Sequence, residues 1–419
     1  MISIMKTILT YLIRFIAVLF VLLFSLPVIL LPIATEVPAW IWIPLAATDL
    51  VLLVLFFRMK PIWKASLVSV LGVLAAGIIA VVTSQLFALT PPILDIEGRP
   101  LQNSIATLET VSLNGSKQWI SIRGQDVSNP VLLFLAGGPG GSQLATARFA
   151  LAELEKHFVV VNWEQPGAGK SFDAVKRSSI TPDRYVEDAH DLVIQLRERF
   201  GQEKVYVLGE SWGSALGIML IQQYPDLFHA FIGTGQMVAF LENDQICYDF
   251  ALGLAKEKGN TKKIEKLTKQ GPPPYYGKDV AWKEAAFLMD TFNYMNANPA
   301  IADNGANTFR DLAASEYGLY DKVSWFRGVI ETLNVVYPQL WDVDFRKSAT
   351  NLEVPVYFFI GRHDVNAPTI LLEEYFRTLK APHKEIVWFE HSGHTPWVSE
   401  SSLFVQEMVE TVKSQTWNP

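Results

Sequence analysis

The N-terminal part of the chain carries three long, almost uncharged apolar runs, from about Phe15 to Ile33, Trp40 to Phe57 and Ala65 to Phe87. Each approaches the roughly 20 residues that a helix needs to cross a bilayer. Soluble helices of this length keep a polar face, which these runs lack. A cleavable signal peptide would account for Lys6 and Arg14 ahead of the first run, but it leaves the other two runs unexplained and has no small-residue cleavage site behind it. The pattern predicts a three-helix membrane anchor over residues 1–89. Lys6 and Arg14 precede the first run, Glu36 lies in the first loop, and Arg58, Lys60 and Lys64 surround the second loop. Basic residues stay on the cytoplasmic side, so the chain after Phe87 is expected to emerge outside a plasma membrane as the extracytoplasmic part of a multi-pass protein.

Beyond Thr90-Pro91-Pro92 the pattern changes. A polar stretch to about Glu109 reads as a linker. Short apolar runs follow at Trp119 to Ile122, Val131 to Leu135, Phe158 to Asn162, Val205 to Leu208, Ala230 to Ile232, Val354 to Ile360 and Glu385 to Phe389. Several are continuous, as expected of strands buried on both faces of a parallel sheet. Between them, Tyr185, Ala189, Leu192, Val193, Leu196 and Phe200 recur at helical spacing, and Ile370 to Leu379 and Leu403 to Val412 behave alike. Such alternation predicts a doubly wound, mostly parallel α/β sheet that binds ligands at the carboxyl ends of its strands. From about Gln236 to Thr350 the alternation stops, and helical, polar sequence is broken by Gly271-Pro272-Pro273-Pro274-Tyr275-Tyr276-Gly277. The expected division is an anchor (1–89), a first core part (90–235), an inserted helical cap (236–350) and a second core part (351–419).

Composition removes several function classes. Cys247 is the single cysteine, so neither an intrachain disulfide nor a cysteine metal cluster can form, and the histidines lack H-E-x-x-H spacing. No metal or other cofactor is expected. A diffuse net charge of −7 does not suit nucleic acid. The lysine-rich segment Lys256 to Lys269 is interrupted by Glu257 and Glu265 and reads as a solvated helix face.

The informative chemistry starts at Gly209-Glu210-Ser211-Trp212-Gly213, between the apolar run Val205 to Leu208 and a helical segment. A serine at a sharp strand-to-helix turn is held out at the sheet's end, next to N–H groups of a helix start. A serine hydroxyl needs a base, and the base needs a carboxylate. Asp364 ends Phe358-Phe359-Ile360-Gly361-Arg362-His363-Asp364, and His394 lies in Glu390-His391-Ser392-Gly393-His394, after the last strand, with His391 the alternative base. Ala136-Gly137-Gly138-Pro139-Gly140-Gly141 follows an early strand and supplies N–H groups of Gly137 or Gly138 which, with that of Trp212, would form an oxyanion hole. A phosphate loop is the competing reading of this turn, but Pro139 removes a donor and no Gly-Lys-Ser/Thr follows.

Together with Glu164-Gln165-Pro166-Gly167-Ala168-Gly169-Lys170-Ser171, these motifs resemble the prolyl aminopeptidase (proline iminopeptidase) family of α/β-hydrolases, from about Glu109 to the C-terminus. The resemblance implies removal of an N-terminal residue, often proline, from short peptides, with Ser211 attacking, His394 moving the proton and cap carboxylates holding the free amino group. Glu242 and Asp244 are the cap candidates. Two positions depart from the family: its histidine before the glycine pair is Ala136, and its Asp-Gln-Arg-Gly run is Glu164-Gln165-Pro166-Gly167. The expected partners are a small molecule or short peptide and the bilayer. A carboxylesterase or lipase-like enzyme and a catalytically idle membrane sensor or scaffold are the alternatives.

Overall fold

The computed structural model describes residues 2–302 and 307–417, with the side chains of residues 2–4 and 6 outside the description. Lys6's side chain, four positions of the expected cap and the last two residues of the second core part therefore lie outside the described residues. The chain forms two compact units: residues 1–90 with 308–323, and residues 91–307 with 324–419.

The first unit contains α1 (Ile2–Ala34), α2 (Ala39–Arg58) and α3 (Ile62–Leu86). All three are long and apolar enough to cross a membrane; at 1.5 Å per residue the 20-residue α2 spans about 30 Å, the thickness of a bilayer core. The face that α3 buries is made of small residues, including Ala65, Ser66, Ser69, Ala76, Gly77 and Ala80. Small side chains let helix backbones approach, as membrane helices do where lipid offers no hydrophobic drive to associate. Ser69 Oγ donates to Leu52 O of α2 at 2.8 Å. Large apolar side chains such as Leu12, Phe15, Leu22, Trp40 and Leu71 point outward. Part of the expected cap belongs here: Leu89 N donates to Ser315 O at 3.0 Å, Leu319 N to Ser84 Oγ at 2.9 Å and Gln85 Nε2 to Asp321 Oδ1 at 2.7 Å.

The second unit is built on an eight-stranded sheet. Its strands are β1 (Ile105–Leu113), β2 (Ser116–Gly124), β3 (Val131–Leu135), β4 (Val159–Trp163), β5 (Val205–Glu210), β6 (Phe228–Thr234), β7 (Val356–Gly361) and β8 (Lys384–Phe389). They lie in the order β1-β2-β4-β3-β5-β6-β7-β8. β1 and β2 pair antiparallel, β2 meets β4 antiparallel, and the rest is parallel. The continuous apolar runs are explained by packing on both faces: Val131, Leu133 and Leu135 join one core with Tyr185, Leu192 and Leu216, while Leu132 and Phe134 join the other with Tyr206, Phe359 and Phe404. β1 corrects the expected linker, which ends at Ser104 rather than Glu109. Its Thr107, Glu109, Thr110 and Ser112 sit half in solvent at the sheet's edge, so the strand lacks an apolar run.

Candidate active site

β5 ends in the turn that carries Ser211. Ser211 takes φ 52° and ψ −120°, a conformation L residues avoid and which costs about 1–3 kcal/mol where the surroundings impose it. The surroundings impose it through two glycines. A Cβ on Gly209 would fall 2.3 Å from Gly213 O, and one on Gly213 would fall 2.0 Å from Leu135 O. The elbow helix Trp212–Gln223 thus lies directly against β3, and Ser211 N is held by Thr234 O of β6 at 3.0 Å.

The loops after β7 and β8 bring the other two residues to this rim. Asp364 Oδ2 accepts from His394 Nδ1 at 2.9 Å, and Asp364 Oδ1 accepts the backbone N–H groups of Asn366 (2.8 Å) and Ala367 (2.9 Å). Both residues are buried. This bond leaves Nε2 as the unprotonated nitrogen, the form a base requires. Burial pulls the His394 pKa down, but the charge and hydrogen bond of Asp364 and the charge of Glu210 outweigh it, and the net shift is upward. The ring packs against Gly235, next to the Thr234 carbonyl that holds Ser211. Here Nε2 faces Asn366 Nδ2 at 3.2 Å, so its lone pair meets that amide. His391 is exposed, with Nδ1 toward Ala300 O at 3.2 Å, and does not reach Asp364.

The glycine turn after β3 lies beside Ser211: a Cβ on Gly137 would be 3.2 Å from Ser211 Cβ. Gly137 N–H already donates to Gln143 Oε1 at 3.0 Å. Of the two donors expected in this turn, that leaves Gly138. Trp212 opens the elbow helix, where N–H groups have no acceptor inside the helix. Gln165 ties the two halves together, with Nε2 donating to Ala136 O at 3.1 Å and Oε1 accepting from Trp212 Nε1 at 2.9 Å. The substituted Pro166 keeps a role by its backbone, since its carbonyl accepts from Tyr185 at 2.8 Å.

Residues 130–257, which hold β3 to β6 and the elbow, match the family model described as alpha/beta hydrolase fold. The chain is 31% identical over 314 residues to the Bacillus subtilis protein named probable aminopeptidase YbaC, covering 74% of this chain and 97% of the relative. The chain belongs to the prolyl aminopeptidase-like α/β-hydrolases. A proline iminopeptidase of Saccharolobus solfataricus is 35% identical over 296 residues, 68% of this chain and 85% of that one. The crystal structure of a proline iminopeptidase-related protein from Thermus thermophilus shares the fold, at a TM-score of 0.52 and 20% identity over 74% of this chain and 98% of its own. A proline iminopeptidase of Mycobacterium smegmatis superposes equally, with a TM-score of 0.52 at 17% identity over 74% and 99%.

The two cap candidates of this hydrolase part company. Glu242 is half exposed and pairs with Arg346, which also meets Asp344 at 2.9 Å and Glu374 at 2.6 Å. Asp244 is fully buried beside Glu284, a residue the sequence reading overlooked. Asn243 and Tyr337 hydrogen-bond Asp244, but two carboxylates cannot donate to one another, and both Glu284 oxygens would be buried without a partner. A proton shared between them resolves this. Burial raises the pKa of Asp244 to about 6, and burial with the neighbouring Asp244 charge raises that of Glu284 well above the usual range. Glu284 also borders a cavity of about 200 Å³ lined by Leu288, Met289, Phe292, Val329 and Ile330. The Phe292 ring stands edge-on to His394, centroids 6.0 Å apart. Two further residues escaped the sequence reading. Glu210, one position before the serine, is buried with Oε2 accepting from Gln143 Nε2 at 3.1 Å and Oε1 lying 3.8 Å from His394 Nε2. Asn366 links His394 to the cap helix Val280–Asn296, its Oδ1 accepting from Thr291 at 3.0 Å. Among the described residues no cluster fit to hold a metal ion exists.

Proposed function

We propose that this hydrolase is a membrane-anchored serine aminopeptidase of the prolyl type, acting on short peptides through Ser211, His394 and Asp364. The observation that carries the reading is the 2.9 Å bond between His394 Nδ1 and Asp364 Oδ2 at the rim where Ser211 is held in its strained turn. His394 Nε2 takes the Ser211 proton as Oγ attacks the scissile carbonyl, Asp364 steadies the resulting imidazolium, and the N–H groups of Gly138 and Trp212 hold the oxyanion. The imidazolium returns its proton to the leaving amine, and water then releases the acyl group by the same steps in reverse.

Preference for a substrate with a free amino group is supported by sign of charge. Glu210 and Asp364 face the imidazole of His394, and Asp244 and Glu284 are buried behind Asp364. Such a surrounding favours an ammonium over a neutral acyl chain. The apolar lining of the cavity is the feature that favours an esterase. Kinetics on the full chain in detergent separate the two: prolyl and other aminoacyl arylamides outrun short-chain aryl esters of simple acids in kcat/KM if the proposal holds, and the reverse order refutes it. We further propose that α1 to α3 span the plasma membrane with the enzyme outside. Their length and apolar surface and the basic Arg14, Arg58, Lys60 and Lys64 support this.

A further inference from the structure

We propose that Glu210 is the carboxylate that grips the α-amino group of the substrate, a refinement that rests on the aminopeptidase reading. Covalent geometry sets the requirement. The α-amino nitrogen lies two bonds from the scissile carbonyl carbon, about 2.5 Å away. A charge-assisted hydrogen bond to it spans about 2.8 Å. The gripping oxygen therefore sits within roughly 5 Å of the carbon that Ser211 attacks, which confines it to the immediate surroundings of the serine and the base.

Glu210 meets this restriction. It precedes Ser211 in the chain, and its Oε1 lies 3.8 Å from Nε2 of His394, the atom that must also reach the serine hydroxyl. The other acids fit less well: Glu284 borders the apolar cavity, but burial and the neighbouring Asp244 raise its pKa and favour its neutral form. Asp244 is fully buried, bordered by Asn243, whose amide donates at 3.1 Å to Asp244 Oδ1 and at 3.0 Å to Asn366 O, so it lies behind the Asp364–Asn366 turn. Glu242 is engaged by Arg346 at the surface. Asp364 spends both oxygens on His394 and on two backbone N–H groups.

Glu210 is also short of donors. An ionised carboxylate has about four acceptor positions. Gln143 Nε2 serves Oε2 at 3.1 Å, with Gly137 N–H close by, while Oε1 lies 3.8 Å from the imidazole Nε2 of His394. Burial pushes the Glu210 pKa up, against the pull of His394, Gln143 and Gly137, and an incoming ammonium is the partner that would hold it ionised. The titratable groups facing it are His394 and Asp364, and Gln143 and Gly137 are neutral. A base must be neutral to take the serine proton, so in the reactive form of the enzyme the ammonium is the cation that the site lacks. Gln143 fixes the carboxyl plane and at the same time takes Gly137 N–H, which sets the grip and the oxyanion turn in register.

The experiment compares two substrates that differ only in the ammonium, alanyl p-nitroanilide and propionyl p-nitroanilide, on the full chain in detergent. The preference is the ratio of their kcat/KM values. In Glu210→Gln this ratio is expected to fall about 10- to 100-fold, the loss of one charge-assisted bond. A Glu210→Gln enzyme that loses both substrates by the same factor overturns the proposal, because Glu210 then only braces the Gly137 turn. An undiminished ratio overturns it too. Should Glu210→Gln fail to fold, Glu210→Asp decides: withdrawing the oxygen by one methylene must lower the ratio at least about 5-fold, and an unchanged ratio refutes the grip. A wild type with no preference for the alanyl compound refutes the aminopeptidase reading itself, and Glu210 falls with it. A wild type that prefers the amine while both variants keep that preference refutes the Glu210 assignment alone.

Discussion

Replacing Asp364 by Asn separates the chemistry of this residue from its structural role, because its two oxygens do different things. Oδ1 accepts two backbone N–H groups, at 2.8 and 2.9 Å, which shape the loop after β7. Oδ2 accepts only from His394 Nδ1, at 2.9 Å. Asparagine keeps the first oxygen and puts an N–H donor in place of the second. His394 must then turn its lone pair toward residue 364 and carry its proton on Nε2, where it can no longer take one from Ser211. The lost attraction between carboxylate and imidazolium at that separation is roughly 6 kcal/mol at an effective dielectric of about 20. This corresponds to about 10⁴ in rate. Asp364→Asn is expected to lower kcat/KM on an aminoacyl arylamide about 10³- to 10⁴-fold while thermal unfolding moves little. Asp364→Ala should lose activity and also stability, since two buried backbone donors are left unpaired at about 1–3 kcal/mol each. Steady-state kinetics with unfolding followed by circular dichroism reads both effects. An Asp364→Asn enzyme within 10-fold of wild type would refute the reasoning.

Further expectations concern packing, pH and topology. Gly213→Ala places a Cβ 2.0 Å from Leu135 O and 2.8 Å from Ala136 O, so it should destabilise the protein by about 3 kcal/mol or more and abolish activity; a folded, active Gly213→Ala enzyme would contradict the close approach at the elbow. Asp244 and Glu284 both have pKa values raised by burial, so the native state holds protons that the unfolded chain releases, and stability declines as pH rises from about 4 through 6 and beyond. Glu284→Gln should therefore stabilise the fold at pH 8 more than at pH 5, by about 1–3 kcal/mol of unfolding free energy, and an equal or opposite effect counts against the shared proton. His394 is effective only when neutral and its pKa is shifted upward, so kcat/KM should fall as pH drops through a value above the ordinary imidazole one; Glu210→Gln removes one source of the shift, and its acid limb should move to lower pH. An alkaline phosphatase fused after Pro419 should be active in intact cells, and activity confined to cytoplasmic reporters would reverse the proposed orientation.

The sequence made some of this site legible and hid the rest for physical reasons. Ser211, Asp364 and His394 each come within a few residues of the end of a parallel strand, and strands of a parallel sheet end on one rim, so three residues far apart in the chain were readable from local pattern. Glycines with a geometric task, such as Gly209 and Gly213, show in the motif itself. β1 was missed because an edge strand facing solvent has no continuous apolar run. Partner choice inside the site was not readable either. Gln143 pairs with Glu210 across 67 residues, and Asp244 meets Glu284 from another cap helix, through packing that no periodicity encodes. Asn366 in front of His394 Nε2 depends on a contact with Thr291 of a cap helix. Glu210 occupies a variable position of the elbow motif, and its distance to the base became visible only in three dimensions.

Ser211 acts in the proposed mechanism as an activated nucleophile, and covalent capture is the measurement that tests this most directly. The full chain in detergent, treated with a fluorophosphonate probe and digested for mass spectrometry, should carry the label on the peptide containing Ser211, with labelling lost in Ser211→Ala and strongly slowed in His394→Ala. Label on another residue, or none on a folded wild-type protein, would contradict the serine-hydrolase claim outright.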